Sequence, residues 1–175
     1  WRFAKELEGR FDGIAWTPWG TVLFAEERTG GKVWELNPLT LELNARPALG
    51  LKSHEGIRID RRGNVYGISE TNPGFIFRFT PDTYGDLSSG QLYALEVTNP
   101  TGDRVGDAEW IPLDRSAVQV DANAAALAAG ATGYNRPEDV ELGTSTGDDH
   151  GPDNILYVAL TGPSKSSSFL SSIES

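Results

Sequence analysis

Four glutamates fall at matching places in this sequence. Glu27 and Glu70 follow two short β-rich runs, Val22-Leu23-Phe24 and Val65-Tyr66-Gly67. Glu55 and Glu138 each open a stretch of one pattern: an acidic residue, then Gly or Asp, then Ile or Val. Carboxylates gathered in a confined space repel one another unless a cation neutralises them. The chemistry this suggests is a metal site of oxygen ligands at Glu27, Glu55, Glu70 and Glu138, suited to a hard ion such as calcium. The plainer reading has the same acids capping turns, or pairing at the surface with Arg28, Arg58, Arg61 and Arg78. A second constellation is Asn135-Arg136-Pro137-Glu138-Asp139. Its guanidinium offers a planar fork for phosphate or carboxylate, and Pro137 restricts the backbone between Arg136 and Glu138. The alternative is a structural Arg–Glu pair. His54 could ligate a metal or donate a proton, although a lone loop histidine more often does neither. The stretch Asp148-Asp149-His150-Gly151-Pro152-Asp153-Asn154 does not match an EF-hand loop and reads as a solvated turn. No phosphate-cradling glycine loop and no GxSxG elbow occurs.

The elements that must position these residues come from a repeat. Asp12–Pro38, Glu55–Asp82 and, more loosely, Glu138–Gly162 resemble one another. Asp12 and Glu55 lie 43 residues apart, and Glu55 and Glu138 lie 83 apart, close to twice that interval. A period of about 40–45 residues with several short strands per unit is the signature of a propeller blade. Turn signals at Thr29-Gly30-Gly31 and Asn72-Pro73-Gly74 lead into Val33–Leu36 and Phe75–Phe79. The alternation of Ile76 and Arg78 with Phe75, Phe77 and Phe79 has period two, so this is strand. Both runs are expected to stop at proline, at Asn37-Pro38 and Thr80-Pro81. The 83-residue interval holds either a further blade or one blade with an inserted hairpin, whose arms would be Gln91–Val97 and Glu109–Leu113. Asp121–Ala129 predicts the one helix, with Asp121 as N-cap and Gly130 as the stop.

The fold expected is therefore all-β, a partial β-propeller of three to four blades over residues 1–163 with one short helical insertion. A Ser-rich tail at 164–175 is expected to be flexible. Open blades would leave bare sheet edges, so further blades are expected from elsewhere in a longer chain or from a partner. With no Met anywhere, the 175 residues are expected to be processed or part of a longer polypeptide. A net charge of −10 argues against nucleic acid, whose binding needs basic residues to displace counterions. Cysteine is absent, which removes disulfides, zinc–thiolate sites and thiol nucleophiles. No apolar run approaches the roughly 20 residues that span a bilayer as a helix.

The succession of Thr17–Glu27 (TPWGTVLFAEE), Ser53–Gly56, Thr71–Phe79, Gly90–Val97, Asn135–Glu141 (NRPEDVE) and Leu156–Gly162 resembles the PhoX-type alkaline phosphatases. The resemblance implies an exported, periplasmic or extracellular β-propeller that hydrolyses phosphate monoesters at an iron–calcium cluster. It implies that Glu27, Glu55 and Glu70 ligate metal, that Arg136 binds phosphate, and that Glu138 is a further ligand from the same motif. The partner would be a phosphorylated small molecule. One departure is Ala25, which stands where the family carries a cysteine as iron ligand. Alanine cannot ligate iron, so calcium is the cation expected and iron lacks one of its ligands. The alternative function is a non-enzymatic propeller that binds calcium or protein partners, such as a subunit of an extracellular assembly.

Overall fold

Short alternating runs punctuated by glycine and proline make strands too short to bury an apolar face alone, and here they pair into antiparallel meanders. The computed structural model describes residues 9–143 and 155–161, with the backbone of 169–172. The first sheet has the order β1 (Phe11–Trp16), β2 (Val22–Glu26), β3 (Val33–Leu36) and β4 (Leu43–Ala45). The second runs β5 (His54–Ile59), β6 (Val65–Ser69), β7 (Ile76–Thr83), β8 (Asp86–Gly102) and β9 (Val105–Pro112). The third is β10 (Pro137–Gly143), β11 (Ile155–Leu160) and β12 (Phe169–Ser172). Sequence neighbours are sheet neighbours throughout, as in propeller blades.

The 83-residue interval is thus one blade with an added hairpin, formed by the long β8 and β9. Two expectations need correction. The strand that begins after Asn72-Pro73-Gly74 does not stop at Pro81, because Pro81 pairs with Gly90 and the ladder shifts register before Thr83. A proline is tolerated at such an irregularity, where no ladder donor is required of it. The Ser-rich stretch also contributes a strand: Phe169–Ser172 pair with Ile155–Val158, so the third sheet extends past residue 163. The expected helix, α1 (Ala122–Ala129), is present. The Asp121 side chain accepts from the Asn123 and Ala124 N–H groups, and Gly130 closes it at φ 90°.

The sheets pack face to face. Leu23, Ala25 and Val33 of the first blade meet Ile57, Val65, Phe75, Phe77 and Phe79 of the second in one core. Tyr66, Ile68, Ile76 and Leu95, from the opposite face of the second blade, meet Val140, Leu156 and Val158 of the third. This accounts for Phe75, Ile76, Phe77 and Phe79, which are buried on both faces of the strand with Arg78 the one charged residue among them. The Arg78 guanidinium stacks between Tyr93 and Trp110, 4.9 and 5.1 Å from their ring centres, which partly offsets the burial of its Nε.

The innermost strands β1, β5 and β10 lie side by side in that order. Each ladder shifts register at the acidic residue that opens its repeat: between Asp12 and Ile14, between His54 and Ile57, and between Pro137 and Asp139. Such bulges re-aim side chains, commonly beside active sites. The small residue after the acid has a packing reason. A Cβ at Gly13 would lie 2.4 Å from the Glu55 carbonyl oxygen, and one at Gly56 would lie 2.4 Å from Asp139 Oδ1 and 2.7 Å from the Val140 nitrogen. The next position, Ile57 or Val140, is buried against the preceding blade. Its counterpart Ile14 is 71% exposed and Trp16 is 67% exposed. The first blade therefore presents an apolar face that nothing covers among the described residues.

Candidate functional site: an acidic cluster at the inner strands

Each blade builds its share of the site in the same way. The residue after the second strand donates its N–H to a carbonyl on the inner edge: Glu27 to Arg10 at 2.9 Å, Glu70 to Ser53 at 3.1 Å, and Thr161 to Arg136 at 3.0 Å. Two residues beyond each acceptor stands the bulge acid, Asp12, Glu55 or Glu138. Three equivalent pairs follow: Asp12 with Glu27, Glu55 with Glu70, and Glu138 with Thr161.

These side chains converge. Carboxylate oxygens of Asp12, Glu27 and Glu55 all lie within 4.8 Å of one another. Glu70 hydrogen-bonds Glu27, and its charge acts on Glu55. Arg136 joins the third blade to the group: its Nη2 contacts Glu70 Oε1 and lies 3.3 Å from Glu138 Oε1. The Thr161 hydroxyl donates to Glu138 Oε1. All four glutamates expected as ligands, and Arg136, therefore meet in one place. Three of the arginines considered as surface partners for them engage elsewhere: Arg28 with Glu26 at 2.8 Å and Arg58 with Glu141 at 2.9 Å, while Arg78 lies between its two rings.

Electrostatics register the crowding. Burial, then the charge of Asp12 and a hydrogen bond with it, then Glu70 and Glu27, push the Glu55 carboxyl up to about 8. Glu27 is also raised, by desolvation first and then by Glu70, with Arg10 opposing. Glu55 is only 8% exposed, and its Oε2 has no hydrogen-bond partner. A buried, unsatisfied oxygen aimed among other carboxylates is what a cation would complete.

Arg136 needs firm placement, because its side chain is half exposed. Its backbone sits at φ 42°, a left-handed conformation uncommon for a residue with a side chain. Bonds on both sides hold it there. Its N–H donates to the Thr71 carbonyl at 3.1 Å, and its own carbonyl accepts from Thr161. Thr71 in turn receives the Asn123 side-chain amide of α1 at 3.1 Å. Gly74 and Tyr134 exchange two backbone bonds of 2.8 Å, which fastens the loop after β6 to the segment leading into Arg136. The helical insertion thus braces the site.

His54 takes no part in the cluster. Although adjacent to Glu55, it is buried between the first two blades and hydrogen-bonds the Gly50 carbonyl at 3.1 Å. Burial and the nearby Lys52 hold it well below its ordinary value. Ala25 is fully buried with Leu23 and Val33 and supplies no ligand atom. The acid-rich stretch 148–154 lies outside the described residues. Two site residues escape a search for glutamates. Asp12 opens the first repeat as Glu55 and Glu138 open theirs, so the repeat carried the signal. Thr161 matches Glu27 and Glu70 only once the ladder is known, because an inserted stretch separates it from Glu138.

Antiparallel sheets packed face to face in succession, with acidic side chains and one arginine converging at their inner strands, have the architecture of β-propeller blades. The family model described as alkaline phosphatase PhoX matches residues 28–173. The chain belongs to the PhoX alkaline phosphatase family. A solved structure, Pseudomonas fluorescens PhoX in complex with vanadate, a transition state analogue, is similar to 86% of this chain with a TM-score of 0.71 and 22% identity. The match covers 39% of that structure's chain, so these 175 residues span about two fifths of its length. No curated protein matches the chain.

Proposed function

We propose that this chain supplies the metal-holding acids and the phosphate-binding arginine of an alkaline phosphatase of the PhoX type. It would hydrolyse phosphate monoesters at a carboxylate-bound metal site in the channel of a propeller completed by further blades. The observation that carries this is the convergence of Asp12, Glu27, Glu55, Glu70 and Glu138 with Arg136. The unsatisfied Oε2 of Glu55 and the all-oxygen donor set fit a hard cation, and calcium is the one proposed. Iron held through a thiolate does not fit, because Ala25 stands at that position and the chain has no cysteine. A bound cation would polarise the phosphoryl oxygens of the substrate. Asp12, Glu27 and Glu55 would hold it, with Glu70 and Glu138 at the rim. Arg136 would bind the non-bridging oxygens in a forked contact and stabilise charge developing on the transferred group. The exposed face of Ile14 and Trp16 supports a preceding blade, since the matching positions of the other two blades are covered. Export to the periplasm or the cell exterior belongs to the same reading.

The test is hydrolysis of a generic aryl phosphate by the intact protein. Activity should disappear with a chelator and again in Arg136→Ala. No turnover with calcium and iron both supplied overturns the enzyme reading. Ala25 specifically favours a second reading, a propeller that binds calcium without catalysis. In that case chelation lowers the melting temperature while no substrate is consumed.

A further inference from the structure

The three-blade equivalence singles out one further residue. Arg10, Ser53 and Arg136 occupy the same position, each accepting a backbone bond from the residue that follows the second strand of its blade. Two of the three are arginines, one at the inner edge of the first blade and one at that of the third. Arg136 is held by Glu70 and Glu138. Arg10 is exposed, and its charge acts on Glu27, opposing the burial and the Glu70 carboxyl that raise it. We propose that Arg10 is a second oxyanion-binding residue of this site, so that a phosphoryl group is held between guanidinium groups on opposite flanks of the acidic cluster. This rests on the phosphatase reading and adds to it a recognition element that Arg136 alone does not provide.

The chemistry favours such a pair. A phosphate monoester dianion approaching at least five carboxylates meets repulsion that one guanidinium only partly offsets. A tetrahedral group presents several oxygens in different directions, so two forks on opposite sides can bind it without competing for one edge. Ser53 in the middle blade is the small, uncharged member of the set.

The test measures binding of inorganic phosphate and of vanadate to the intact, calcium-loaded protein, in Arg10→Ala, Arg10→Lys and Arg136→Ala. Arg10→Ala should weaken both oxyanions about tenfold, the loss of one charge-assisted contact. Arg10→Lys should recover part of that loss. Calcium affinity should be unchanged or higher in Arg10→Ala, because a positive charge beside Glu27 has been removed. Oxyanion affinity unaffected in Arg10→Ala, while Arg136→Ala lowers it, overturns the proposal and leaves the phosphatase reading standing. A parallel fall in calcium affinity and melting temperature also overturns it, since Arg10 would then be structural. Absence of phosphate and vanadate binding by the unmodified protein is the distinct result that removes the phosphatase reading itself.

Discussion

Replacing Glu55 by Gln should change the sign of its effect on stability according to whether calcium is present. In the unfolded chain the Glu55 carboxyl ionises near its ordinary 4.5, and in the folded protein near 8. Between those values the unfolded chain has released a proton that the folded protein retains, so stability without metal falls as pH rises from about 4.5 to about 8 and is level above. Each pH unit in that window corresponds to at most about 1.4 kcal/mol. Glu27 is raised alongside it and solvent reaches the exposed rim of the cluster, so the total contribution is on the order of 2 kcal/mol. Glutamine keeps the shape and does not ionise. In chelator, Glu55→Gln should therefore match the unmodified protein near pH 5 and exceed it by about that amount at pH 8. Calcium reverses the comparison. Binding requires the deprotonated carboxylate, so affinity should rise with pH up to about 8, and the variant loses a ligand. The assay is urea denaturation from pH 5 to 9, with chelator and with calcium. Parallel pH profiles in chelator, or an equal gain from calcium in both proteins, would refute the reasoning.

Three other outcomes are expected. Gly13→Ala places a methyl 2.4 Å from the Glu55 carbonyl oxygen at φ 59°, so it should destabilise by about 2 kcal/mol or more and lower calcium affinity, read by thermal melting and calcium titration. Lys52 is 4% exposed, donates to the Leu49 carbonyl at 3.2 Å and is lowered by burial to about 7, so stability falls as pH drops from about 10.5 to 7; Lys52→Met should flatten that slope in urea denaturation at pH 7 and 9. Arg136→Lys should retain calcium binding but hydrolyse an aryl phosphate more slowly, because a point charge replaces a fork; equal rates would argue against bidentate contact.

The sequence made the blades legible because their strands end at turn signals and alternate with period two. Val33–Leu36, Val65–Ser69 and the helix after Asp121 all lie where local pattern places them. Pro81 was misleading because its effect depends on the ladder around it: paired with Gly90 at an irregularity, it need not end a strand. Phe169–Ser172 was hidden by serine-rich composition, since its pairing with β11 is a non-local fact. The same distinction governs the site. Glu27, Glu55, Glu70 and Glu138 were visible as a repeated residue type, and so was Asp12 as a repeat opener, but His54 was indistinguishable from a loop residue until its burial was known.

The pattern of acid, then Gly or Asp, then Ile or Val encodes more than a ligand. Its three positions perform three tasks at one bulge. The acid is turned toward the acidic cluster, the second residue, glycine in the first two repeats, lets the neighbouring inner strand approach, and the branched apolar residue packs on the preceding blade in the second and third. The tasks are coupled, because the approach that Gly13 and Gly56 permit also brings Asp12 beside Glu55 and sets Asp139, next to Glu138, against the second blade. A chain that only needed surface carboxylates would have no reason to place glycine after them. The glycines therefore bear on function as directly as the acids do. Enlarging them should disturb metal affinity through the spacing of carboxylates, even where every ligand is retained.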